Sequence, residues 1–127
     1  MAKMVFPTSR DIYIEVNGKK IAVVESYKAR SNRDSRYVEA FGEEEPVGTV
    51  AGRVRHAIEL SRVYVAGEGA AHVDFFGLSN FNLVVVKPDR KIVYSGCEWA
   101  DISEAAGLND TVLEKVSLVA SKRMELK

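Results

Sequence analysis

From Thr49 to Val65 the chain reads TVAGRVRHAIELSRVYV, without a turn signal and with alternating apolar residues. Val50, Gly52, Val54, His56, Ile58, Leu60, Arg62 and Tyr64 fall on one parity, and Arg53, Arg55, Glu59 and Ser61 on the other. A period of two marks a half-buried strand rather than a helix. The run is read as one long strand, with Gly52 as the point where it bends. A second run, TVLEKVSLVASKRMELK, behaves similarly from Thr111 to Met124. Val112, Val116, Leu118, Ala120 and Met124 share one face with Glu114 and Lys122, while Lys115, Ser117, Ser121 and Arg123 share the other. Strands this long leave unpaired edges, which template aggregation unless they are blunted or paired with another subunit. Ring closure is the form of that pairing that does not run on into fibres.

The remaining elements follow from turn chemistry. DIYIEV and KKIAVVESY flank Asn17-Gly18, the strongest short-range hairpin signal. Asn82 to Lys87 and Lys91 to Cys97 are strands around Pro88-Asp89-Arg90, with proline where its fixed φ suits a turn. Gly67 and Gly69 end the first long strand, and a helical turn or two is expected between Ala70 and Leu78. Asp101 or Ser103 could cap a short helix through Glu104 and Ala106, ended by Gly107. The sum is a mainly β fold: an antiparallel sandwich or partly open barrel with one or two short helices. At 127 residues it fits one domain, 1–127.

Between the hairpin and the long strand lies KARSNRDSRYVEAFGEEEPVGT, Lys28 to Thr49, with a short strand possible in RYVEAF. A connection of that length in so small a domain is functional or disordered. Its first half is basic and its second half carries Glu39, Glu43, Glu44 and Glu45 without a cation. Such a two-signed arm can pair with copies of itself.

Chemistry is sparse. His56 sits on the mainly apolar strand face, His72 lies in AAHVD, and neither has the partners of a catalytic base. Cys97 is the single cysteine, so no internal disulfide forms, and it reads as a small buried hydrophobe in a chain from a reducing compartment. One cysteine and two separated histidines make no zinc site, and no phosphate-cradling glycine loop is present. No enzyme, cofactor or metal is expected. MAKMVFPTSR lacks the apolar core of a secretory signal, and no stretch has the length of a membrane span. The net charge of zero argues against broad adhesion to nucleic acid or membrane. The basic run Lys28–Arg36, with Tyr37 beside it, still permits a second reading as a small β-barrel module for single-stranded nucleic acid.

The hairpin, the arm through YKARSNRDSRYVEAFGEEEPVGTVAGRV, and the block VDFFGLSNFNLVVVKPDRKIVYSGCEWADISEAAGLNDTVLEKVSLVASKRMEL together resemble the tail tube proteins of contractile-tailed bacteriophages and phage-like particles. The resemblance covers nearly the whole chain. It implies hexameric rings stacked into a hollow tube that conducts DNA, with sheath and baseplate proteins as partners. It also implies residence in a virion tail assembled in the bacterial cytoplasm, and a tube-initiating relative would look alike. On that reading the arm reaches neighbouring subunits. Arg30, Arg33 and Arg36 would meet Glu43, Glu44 and Glu45 of another ring, with Tyr37, Phe41 and Val47 buried between them. The two long strands would form the inner wall, with Arg53, Arg55, Glu59, Lys115, Ser117 and Arg123 as lumen-facing candidates. Such lumens are often acidic, and Arg53, Arg55 and Arg123 depart from that pattern.

Overall fold

A computed structural model describes residues 4–66 and 73–127. Gly67, Gly69, His72 and the first part of the helical turn expected from Ala70 lie outside the described residues. Among the described residues are ten strands: β1 (Tyr13–Val16), β2 (Lys19–Lys20), β3 (Val24–Arg33), β4 (Arg36–Val38), β5 (Gly48–Val50), β6 (Val54–Val63), β7 (Phe81–Val86), β8 (Lys91–Ala106), β9 (Val112–Ala120) and β10 (Lys122–Leu126). The expected helical turn is a single 3-10 turn at Phe75–Gly77, capped by Asp74.

The sheet order is β2-β1-β7-β8-β9-β6-β3, with β10 pairing to β8, and all pairings are antiparallel. One strand holds two layers together. Lys91–Cys97 of β8 lies between β7 and β10, whereas Glu98–Ala106 pairs only with β9. The changeover sits at Gly96, whose φ of +63° suits glycine and where a Cβ would run into the Ser121 hydroxyl. Ser121 marks the matching corner of the partner strand. Its backbone N–H and its hydroxyl both donate to the Ser95 carbonyl, at 3.0 and 3.1 Å. The two expected strands of the C-terminal half are thus each bent through a corner.

The core fills the space between the layers. Ile14, Val16, Leu83, Val85, Ile92 and Tyr94 come from one layer, and Ile58, Leu60, Val116 and Leu118 from the other. Phe75 and Phe81 meet edge to face at 6.0 Å, and Cys97 is fully buried beside them in the same cluster. Burial pushes the Cys97 thiol up to about 11 and leaves it a weak donor to the Tyr94 carbonyl at 3.4 Å. Arg62 enters this core with its charge. It pairs with Glu114 at 2.8 Å, donates to the Val73 carbonyl and lies over the Phe75 ring at 4.8 Å. Both side chains are mostly covered, so removing one partner strands the other. Glu114→Ala should cost about 2–3 kcal/mol in urea titration, below the ~3–5 of a fully buried pair. A cost within about 0.5 kcal/mol of zero would show that Arg62 is held by its other contacts alone.

Three expectations change. The helix over Asp101–Ala106 is strand instead, because Asp101 to Ala106 pair residue by residue with Ser117 to Val112 and half-bury Ile102. Gly107 opens the following turn, closed by Asp110 N–H to the Gly107 carbonyl at 3.1 Å. KKIAVVESY is not one strand. Val23, at φ +52°, carries the chain from β2 in one layer to β3 in the other. The Thr49–Val65 run divides into β5 and β6 around Ala51–Arg53, at the glycine where a bend was expected.

Candidate assembly surfaces

The arm is a β-ribbon. β3 and β6 pair from Val24↔Arg62 to Arg33↔Val54, then β4 and β5 continue as Arg36↔Val50 to Val38↔Gly48. Two residues, Asp34 and Ser35, stand opposite three, Ala51 to Arg53, so the ribbon kinks between the two ladders. Asp34 N–H donates to the Arg53 carbonyl at 3.3 Å, and a Cβ on Gly52 would overlap the Asp34 backbone. Beyond the kink the ribbon turns at Ala40–Glu43, where Gly42 has φ +82°. β4 and β5 pair with no other strand among the described residues.

A two-stranded ribbon with no core beneath it is marginal in water. This one also displays apolar side chains. Phe41 is fully exposed, Tyr37 is 68 % exposed and Val47 60 %. Burying each would be worth about 1.5–3 kcal/mol, which the isolated chain forgoes. Glu43, Glu44 and Glu45 sit in the exposed tip, and Arg36 on β4. The exposed pair Asp34–Arg55, 3.3 Å, contributes little.

The basic run does not form one surface. Lys28 and Arg30 lie on the outer face of the β3–β6 ladder, opposite Glu59 and Ala57, whereas Arg33 falls on the other face with Ser31 and Ala29. Strand alternation therefore splits the cations that the nucleic-acid reading would need together.

The outer face of the β8–β9–β6–β3 layer brings together four of the expected wall residues. Arg55 and Glu59 on β6 and Lys115 and Ser117 on β9 share it, with Glu59 directly opposite Ser117. Arg53 lies in the kink instead. Arg123 lies elsewhere, because the corner at Ser121 shifts the side-chain phase by one. It pairs with Tyr94, so Arg123 and Glu125 share the face of Tyr94 and Ile92 and Met124 takes the other, while all of β10 stays exposed. Acids gather at one margin of this layer and bases at the other. From Glu98 to Ala106, β8 carries Glu98, Asp101 and Glu104 and no cation, while β3 carries Lys28, Arg30 and Arg33 against Glu25. Glu98 is already used, accepting from Ser79 Oγ at 2.8 Å and Asn80 N–H at 2.9 Å. Both margins are unpaired along their outer side among the described residues.

No protein-family model matches the chain, and no curated protein sequence does. Solved structures do. A chain of the virion of a native gene transfer agent superposes with TM-score 0.75 at 16% identity, covering 96% of this chain and 100% of that one. A chain from the tube-terminating cap of the anti-feeding prophage gives 0.72 at 11% identity, covering 100% and 95%. The SPP1 tail tube gives 0.71 at 11% identity, covering 94% and 78%. The chain shares the fold of these particle, cap and tail-tube proteins. Within it, the unpaired margins and the ribbon are the parts of this chain that its own core does not satisfy. This chain also has a cleft under the ribbon's base, about 660 Å³, which the sequence pattern did not reveal. Tyr27, Ser31 and His56 line it from one layer, Lys87, Tyr94 and Arg123 from the other. Ser31 Oγ and His56 Nδ1 share a hydrogen bond of 2.7 Å, and His56 meets the Tyr94 ring at 6.1 Å. Burial first, then Tyr94, raises the Tyr27 hydroxyl above its ordinary range, so it stays protonated as a donor.

Proposed function

We propose that this chain is a non-enzymatic structural subunit that closes into rings, six-membered on the resemblance to tail tubes, which stack into a conduit for DNA in a phage-like tail. Sheath and baseplate proteins are its expected partners, and the particle is assembled in the bacterial cytoplasm. One domain, 1–127, supplies the wall, and the outer part of the Lys28–Thr49 arm, the β4–β5 ribbon, supplies the reach to other copies. The observation that carries this reading is the charge division between the two free margins of one layer. A basic β3 and an acidic second half of β8 run in opposite directions, so β3 of one copy can add to β8 of the next as an antiparallel strand. Such a joint is head-to-tail, and it ends in a ring if the rotation closes. Arg55, Glu59, Lys115 and Ser117 would then face the lumen. Arg30, Arg33, Arg36, Tyr37, Phe41, Glu43, Glu44, Glu45 and Val47 would lie at or near contacts between copies.

The joint predicts a swap. Lys28→Glu with Arg30→Glu should raise the concentration needed for ring formation by about tenfold or more. Adding Asp101→Lys with Glu104→Lys should recover most of the loss. Electron micrographs and sedimentation of the purified chain read both steps. Rings that form equally well from all three chains would remove β3 and β8 as the joint, and a parent chain that stays monomeric at high concentration would remove the assembly reading itself.

A further inference from the structure

We infer that the cleft beneath the ribbon's base is the receptor for the glutamate-rich tip, Glu43–Glu45, of another copy; this rests on the assembly reading above. The cleft is built for a carboxylate. Lys87 at the end of β7 and Arg123 on β10 bring two cations to it, and Tyr27 and Tyr94 bring hydroxyls. Its lining contains no acid among the described residues. Glu125, two positions beyond Arg123 on the same face, is taken by Arg90, which also holds Asp89. Neither Lys87 nor Arg123 forms an ion pair among the described residues, although Lys87 acts on the nearby Asp89 that Arg90 holds.

The matching anion is on the same chain but out of its own reach. The tip presents three consecutive glutamates, all exposed, in a segment with no cation from Val38 to Gly52. From Ser31, which lines the cleft, to Ala40 at the turn the chain rises about 30 Å at ~3.3 Å per residue. The strand pairing holds that stretch out as a ribbon, so the tip cannot return to the cleft at its own root. A neighbour's tip can arrive there. The ribbon runs out past the strand ends, so the copy that receives it lies beyond those ends, as a stacked neighbour would. Val54, exposed on the cleft wall, offers apolar cover to the exposed Phe41 that travels with the glutamates. The tip's partners are therefore the cleft cations, in place of the arm arginines that the sequence suggested.

The test uses two alanines, so that no charge is altered. Copies bearing Ala29→Cys, on the cleft wall, are mixed with copies bearing Ala40→Cys, at the tip, and treated with a short bismaleimide. Cys97 stays silent, being buried with its thiol pushed up to about 11. Assembled material should yield cross-linked pairs of the two variants, and Lys87→Glu with Arg123→Glu should lower that yield about tenfold. Changing Glu43, Glu44 and Glu45 to lysine in the partner copy should restore it. Rings that form without the cross-link, or with a cross-link indifferent to charge reversal, overturn the docking and leave the assembly reading standing. A parent chain that forms no rings overturns both. If a single-stranded oligonucleotide binds the chain, blocks the cross-link and is lost on the Lys87/Arg123 reversal, the cleft is a phosphate site and the docking is wrong.

Discussion

Gly52→Val should abolish assembly while leaving the sandwich folded. The position has no room for any side chain, since the Asp34 backbone occupies the space where a Cβ would go. Backbone on both sides of the kink is fixed by the ladders Arg33↔Val54 and Arg36↔Val50, so neither strand can step aside alone. The overlap is relieved only by re-aiming the outer ribbon. That movement touches nothing in the core, because β4 and β5 have no partner but each other among the described residues. Thermal melting should shift by no more than about 4 °C, the value of roughly 1 kcal/mol in a chain of this size. The assembled fraction in sedimentation should fall by about tenfold or more. Normal rings and tubes from Gly52→Val would show that the ribbon's direction is irrelevant, and the role given to it would go.

Phe75→Ala is the opposite case, with its effect on folding. Phe75 is 1% exposed, packs edge to face on Phe81 and lies under the Arg62 guanidinium. Deleting the ring removes a large buried surface and leaves a void in a close-packed interior, at a cost of about 3–5 kcal/mol. The melting temperature should drop by about 10–20 °C. Phe76, the next residue, supplies the control. It is 72% exposed and stacks on Trp99 at 5.3 Å, so Phe76→Ala should cost about 0.5–1.5 kcal/mol. Equal losses from the two substitutions in urea titration would mean that the turn at Phe75–Gly77 does not insert as described.

The contrast between these two positions explains what could be read from the residues alone. Period-two alternation identified β6 and β9 because their buried faces, Ile58 with Leu60 and Val116 with Leu118, repeat clearly enough to outweigh Ser61, Leu113 and Val119, which fall out of phase. The Asn17-Gly18 turn was legible because its backbone, φ +50° and +82°, is a local property. Corners are not local. Nothing in SGCEW or VASKR announces that Gly96 and Ser121 face each other and move two strands into a second layer. That change of phase carried Arg123 from the expected wall to the cleft. It also hid Lys87 and Tyr94 as the cleft's other side. Helix signals at Asp101, Ser103 and Gly107 were real as propensities and lost to the ladder with β9, since tertiary pairing outweighs a few tenths of a kcal/mol per residue. The arm's residues were found correctly as an exposed, two-signed segment. Their arrangement as a ribbon was not, because alternation carries little information where both faces meet solvent.

One covalent strand, β8, belongs to both layers of this protein. A load applied along one layer is therefore passed to the other through backbone bonds, and side-chain contacts need not slide to share it. Shearing the layers past each other requires straightening the Gly96 corner and stripping β9 and β10 from the same strand at once. Stiffness of that kind is a property of the thread's path, and it is present in the single chain.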